Sequence, residues 1–227
     1  MAKHVFFLLT RAHSIAGAMF SDFHHPDSRH PYMPSRHLFG LLASTMFMAL
    51  ASTGLRAESL VPKGFSEYAK ASLDGSRHCV VGAVRDEDGM NAKPFAYVDD
   101  VASKRVMWAR SIALPAHTVQ GRATHCIASG DVLYVLVQSD TQTQQSLSQT
   151  VLNVVQLDAA TGKAQGTARV DVPGLKVAYS AWVDDGDSGH VQKEADGQIH
   201  VKGTYFLMDS PDDPKEFSAK VKTPLDH

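Results

Sequence analysis

Ser188 stands in a glycine-flanked stretch, Gly186-Asp187-Ser188-Gly189, and His125 precedes it in Ala123-Thr124-His125-Cys126. A serine hydroxyl activated by a carboxylate-oriented histidine is the machinery of acyl transfer, with N–H groups of a glycine turn as the oxyanion hole. Asp140 and Asp158 lie between the two and could supply that carboxylate. A second chemistry is offered by clustered acids, in Asp184-Asp185-Gly186-Asp187-Ser188-Gly189 and in Asp86-Glu87-Asp88-Gly89. Calcium takes about six to eight oxygen ligands, spaced in an EF-hand and closed by a bidentate Glu. Counted from Asp185, the fifth position is Gly189, so the acidic stretches read as turns. His117, His125, His190 and His200 are scattered, with no pair at zinc-ligand spacing.

The two segments around Ser188 and His125 resemble the nucleophile and histidine motifs of the trypsin-like family. That resemblance implies a serine hydrolase using Ser188 and His125. Three features oppose it. The span from His125 to Ser188 is too short for the two-barrel fold that brings such groups together, and His190 replaces the family's second glycine. His78-Cys79 also looks like a twin of His125-Cys126, which favours repeated strand geometry over catalysis.

Residues 33–57, MPSRHLFGLLASTMFMALASTGLRA, read as a complete secretory signal peptide. Arg36 and His37 form the basic region, Leu38 to Ala51 carries no charge, and Ala57 supplies the small residue before cleavage. A membrane anchor fits less well, because Gly40, Ser44, Thr45, Ser52, Thr53 and Gly54 dilute a run that barely reaches the roughly 20 residues of a membrane span. Residues 1–32, with His24, His25 and His30, then read as upstream sequence from a mis-called start. The expected organisation is this leader, the signal, and a single exported domain over 58–227.

From Glu58 onward, 17 lysines and arginines face 22 aspartates and glutamates, a net charge of −5. Nucleic acid and anionic lipid both need a basic face, so neither is an expected partner, and no membrane contact is expected after signal cleavage. Cys79 and Cys126 are the only cysteines, and two cysteines in an oxidising compartment are expected to pair. Closing that loop is worth about 4 kcal/mol by chain entropy.

Strand signals dominate beyond residue 76. Cys79–Val84, Phe95–Val98, Val106–Leu114, Asp131–Gln138, Val151–Leu157, Ala168–Val172, Val177–Val183 and Ile199–Met208 are β-branched or alternating runs bounded by turn residues. The spacing of Phe65, Tyr68, Ala69 and Leu73 predicts one short helix. Pro211, Pro214 and Pro224 predict an irregular tail over 210–227. The polar run Gln138–Thr150 is either an adaptable binding loop or the solvated half of an extended hairpin, with Leu147 as its inward anchor. The fold class is all-β, mostly antiparallel, as an open or partly propeller-like sheet or a sandwich.

A weak repeat refines this. Asp99-Asp100-Val101-Ala102-Ser103-Lys104 aligns with Asp158-Ala159-Ala160-Thr161-Gly162-Lys163, and Pro115 and Pro173 close the two units one residue out of step. Gly130-Asp131-Val132-Leu133-Tyr134-Val135 echoes Asp196-Gly197-Gln198-Ile199-His200-Val201. Each unit is a strand, an Asp-capped turn and a strand. This pattern resembles the blades of quinoprotein-type (PQQ-binding-like) β-propellers over about Arg77–Val172. Trp108 falls where their blade tryptophan sits, and Thr167 takes that place in the second unit. No quinone-binding residue maps from it.

The expected function is a non-catalytic, exported protein-binding module whose partner is another extracytoplasmic protein. An inhibitor or immunity protein against a periplasm-acting toxin is its concrete form. No catalytic, cofactor-binding or metal residue is assigned, and no cofactor is expected. The alternatives are the Ser188–His125 hydrolase and a structural module of the cell envelope.

Overall fold

A computed structural model describes residues 59–142, 148–186 and 189–225. The leader, the signal segment 33–57, Leu147, Asp187 and Ser188 lie outside the described residues. Within them the chain is all-β, with twelve strands in three four-stranded antiparallel sheets and no helix. No helix there is long and apolar enough to cross a membrane.

The first sheet is a meander of β1 (Phe65–Asp74), β2 (Arg77–Val84), β3 (Lys93–Asp100) and β4 (Val106–Ser111). The second repeats it with β5 (Gln120–Ser129), β6 (Val132–Asp140), β7 (Thr150–Asp158) and β8 (Ala164–Val170). In the third, β9 (Tyr179–Trp182) and β10 (Val191–Lys193) pair with the same edge of β11 (Ile199–Leu207), and β12 (Ser210–Val221) covers the other.

The second sheet is the middle layer. Successive strand residues point to opposite faces, and both faces are covered, so β6 and β7 are apolar almost throughout. Leu133, Val135, Val137 and Leu157 pack with Val81, Val98 and Trp108 of the first sheet. Tyr134, Leu136, Leu152 and Val154 pack with Ala181, Ile199, Val201 and Phe217 of the third.

The expected helix over 65–73 is instead β1. Its register shifts between Glu67 and Ala69, leaving Tyr68 as a bulge. Phe65 lies beside Phe95 and Tyr97, with ring centroids 5.6 and 5.5 Å away, while Ala69, Ala71 and Leu73 pack on the core between the first two sheets. One bulge inside a two-residue period imitates helical spacing, which is why the sequence misleads here.

The expected irregular tail is likewise a strand over Ser210–Val221. Phe217, Ala219 and Val221 alternate into the core. Between the pairs Tyr205–Lys215 and Leu207–Ser210, one residue of β11 faces four of β12, so Pro211–Pro214 swing out of the ladder. Prolines are tolerated at such an edge bulge. The polar run opens as a hairpin, with Asp140 opposite Thr150 and the Thr141 N–H donating to Gln149 O at 3.0 Å.

The repeat is real in three dimensions but shifted by one residue. Pairs Val98–Trp108 and Asp99–Val106 correspond to Gln156–Gly166 and Leu157–Ala164, with the same break in register. Asp100 therefore matches Asp158, and Lys104 matches Gly162, both with positive φ, 57° and 69°. In each turn one carboxylate oxygen accepts the N–H and hydroxyl of the residue three further on, Ser103 at 2.7 and 2.6 Å and Thr161 at 2.8 and 2.7 Å. Pro115 and Pro173 fall into step, and the counterpart of Trp108 is Gly166, not Thr167.

Candidate functional site

The bulge at Tyr68 recurs at the same level of β5, where the register shifts between Ala123 and His125 and leaves Thr124 extra. The first strand of the third sheet is broken at its own inner position by a longer excursion, from Val183 to His190, between β9 and β10. All three interruptions meet. A Cβ placed on Gly186 would lie 3.0 Å from the Tyr68 carbonyl oxygen, and Gly186 takes φ +76°. Bulges re-aim side chains and are enriched beside functional sites, so this junction is the place where the fold concentrates polar groups.

Gln138, fully buried on β6, holds the junction together. Its Nε2 donates to Val183 O at 2.7 Å and to Thr124 Oγ1 at 3.1 Å, while its Oε1 accepts the Val183 N–H at 3.1 Å. The side-chain amide thus replaces the ladder partner that Val183 loses where β9 ends, satisfying a buried N–H and C=O. Asp185 Oδ1 stands 3.4 Å from both Gln138 Nε2 and Arg122 Nε.

His125 is 3% exposed, and its Nδ1 lies 3.0 Å from Thr124 Oγ1. It lines a cavity of about 530 Å³ with Ala69, Ala71, Cys126, Gly186 and Val191, at the meeting of the three first strands. The proposed orienting carboxylates are engaged elsewhere. Asp140 accepts from Gln120 Nε2 at 3.0 Å and Thr150 Oγ1 at 2.7 Å, and Asp158 caps its own turn. Ser188 is outside the described residues, so the hydrolase constellation has His125 buried at the junction and neither aspartate bonded to it.

Cys79 and Cys126 form the disulfide, joining β2 to β5. The two cysteines occupy a second and a first strand, so they are not equivalent positions, and the apparent twinning of His78 with His125 is coincidental. His78 instead is largely buried beside Asp99, with Nδ1 3.4 Å from its carboxylate. His200 is bracketed by Glu194 at 2.8 Å and Ser218 at 2.6 Å, and His117 is exposed. Among the described residues no three His, Cys, Asp or Glu side chains gather as a metal site would require.

Trp108 marks the joint between the first two sheets. Its Nε1 donates to Ala159 O at 2.9 Å, and its ring lies so close over Gly162 that a Cβ there would come within 2.5 Å. Arg110 Nε donates to Thr161 O at 3.1 Å in the same turn. The residues that carry the blade-like repeat are therefore in contact with each other across two sheets.

No family model, no curated protein and no solved structure matches this chain.

An exposed acidic feature not legible as structure in the sequence is the outer half of β12. Every residue from Ser210 to Glu216 is exposed. Asp209, Asp212, Asp213 and Glu216 gather there with a single lysine, Lys215, which reaches Asp213 at 3.1 Å. The pair holds Lys215 above its ordinary value, chiefly through the hydrogen bond it donates to Asp213. Beside this arm Trp182 and Phe206 meet at a tilt of 56°, with ring centroids 5.9 Å apart. The signal was present as Asp-Ser-Pro-Asp-Asp-Pro, but prolines read as an end of structure rather than as a bulged edge.

Proposed function

We propose that this protein is an exported, non-catalytic binding module that docks another extracytoplasmic protein, in concrete form an inhibitor or immunity protein. The observation that carries this reading is the acidic β12 arm. It projects beyond the core, carries four acids against one base, and lies beside an aromatic pair. A predominantly acidic exposed arm suits the basic cleft of a partner, where it speeds encounter and fixes register. The export signal at 33–57 and the bonded cysteines fit an oxidising compartment.

An envelope-assembly role by strand addition is less well supported, because Pro211 and Pro214 remove two backbone donors from the arm. The test is affinity capture from the extracytoplasmic fraction of the native host, with wild type and a D212K/D213K/E216K variant side by side. The reading predicts a discrete partner retained by wild type, released by moderate salt, and lost from the variant while the disulfide and circular dichroism are unchanged. Equal retention by the variant would refute it.

A further inference from the structure

The opposite side of the bulge junction carries two guanidinium groups, one with neutral partners only and one with a single long ion pair. Arg85, just past the end of β2, is half-buried. Its Nη1 donates to Ser66 Oγ at 3.4 Å, its Nη2 donates to the Tyr68 hydroxyl, and its Cζ lies 5.9 Å from the Tyr68 ring centroid. All of these partners are neutral, and among the described residues no carboxylate pairs with Arg85. The nearest acid in sequence, Asp86, is consumed in its own turn by the Met90 N–H and the Asn91 amide, both at 2.7 Å.

Arg122, at the start of β5, has one long contact, Nε to Asp185 at 3.4 Å, with its side chain 29% exposed. Its terminal nitrogens make no other bond among the described residues. Both arginines line one cavity of about 280 Å³, together with Ala92, Gln120, Gly121 and Asp140. Asp140 keeps its charge beside them, but among the described residues it forms no ion pair with either arginine, and its two oxygens accept from Gln120 and Thr150.

Arg85 is a half-buried guanidinium with neutral partners only, which is costly unless an anion completes it, and Arg122 engages Asp185 through Nε alone, leaving its terminal nitrogens for a second anion. The planar fork of arginine matches carboxylate and phosphate oxygens two at a time. We infer that the Arg85–Arg122 cavity binds an oxyanion, a carboxylate or phosphate group on a small molecule or on a partner's side chain. Tyr68 and Ser66 hold Arg85 in place, so the site is formed before the ligand arrives. This inference is independent of the acidic arm and stands or falls separately from it.

The test uses the purified, oxidised protein with inorganic phosphate and, separately, acetate as probes, in chloride buffers of matched ionic strength. Binding is read by calorimetry and by the arginine Nε–H resonances. The expected result is saturable one-to-one binding of at least one probe, weakened about tenfold by Arg85→Gln or Arg122→Gln and abolished in the double variant. Arg85→Lys should keep part of the affinity. Phosphate alone would assign the site to a phosphoryl group, and acetate alone to a carboxylate. Binding of neither probe, or binding untouched by the double variant in protein with an intact disulfide, would overturn the proposal.

Discussion

The two joints of the three-sheet stack are built differently although the sheets are built alike. Between the first and second sheets the contact is covalent and locally repeated, with the Cys79–Cys126 bond, the Trp108 ring on Gly162, and small residues such as Ala96, Ala123 and Ala159 allowing close approach. Between the second and third, Gly166 stands where Trp108 would, and the β11–β12 connection is a tight hairpin rather than an Asp-capped turn. There the third sheet presents larger rings, Tyr179, Tyr205 and Phe217, which contact one another within that sheet with centroids 6.4 Å apart and pack with Leu136, Leu152 and Val154 of the second. The joint is completed by the Gln138 clasp on Val183 and by the Leu225 N–H donating to Gln156 Oε1 at 3.0 Å. A repeated backbone can therefore be locked either by a repeated side-chain device or by long-range contacts that no repeat encodes.

The largest expected effect is at the first joint. Trp108→Ala removes a buried ring and its hydrogen bond, and should cost about 3–5 kcal/mol in urea unfolding. A cost under 1 kcal/mol would mean that the tryptophan is not a joint at all. Reducing the Cys79–Cys126 bond should cost about 4 kcal/mol in the same assay, less any strain released. At the second joint, Gln138→Leu leaves the Val183 N–H and C=O without partners and should cost about 3 kcal/mol. Faster hydrogen exchange should then appear at Val183 and spare Trp108. Exchange accelerated equally at both joints would erase the distinction between them.

The smallest effect comes from the turns. Asp74, Asp100, Asp158 and Asp196 are held below the usual carboxylate range by hydrogen bonds from residues two or three further on. For Asp74 the Ser76 hydroxyl leads, followed by its N–H and by Arg77. These groups ionise more readily folded than unfolded, so their stabilisation is complete above about pH 5 and fades as pH falls through the folded values. Urea midpoints should hold between neutrality and pH 5 and then decline with acidification. Asp74→Asn should flatten part of that decline, and a midpoint that rises below pH 4 would contradict it.

Much of this was legible in the sequence, for identifiable reasons. The run Asp131–Gln138 reads as a doubly buried strand because both of its faces are covered, and two cysteines behind a signal-like segment read as a bond. Asp158–Lys163 reads as a capped turn because its chemistry is local. The bulge at Tyr68 concealed β1 behind helical spacing, and Pro211 and Pro214 concealed β12. The junction itself was invisible, since Gln138 lies 45 residues from the Val183 backbone it holds. Arg85 and Arg122 likewise meet only because β2 ends where β5 begins.

Hydrogen exchange of the oxidised protein, alone and with its captured partner, addresses the functional claim most directly. The account predicts that the free arm Ser210–Glu216 exchanges fast, gains protection on complex formation, and leaves both joints unchanged. Protection confined to the Val183–Gly186 junction, with the arm still exchanging freely, would contradict it.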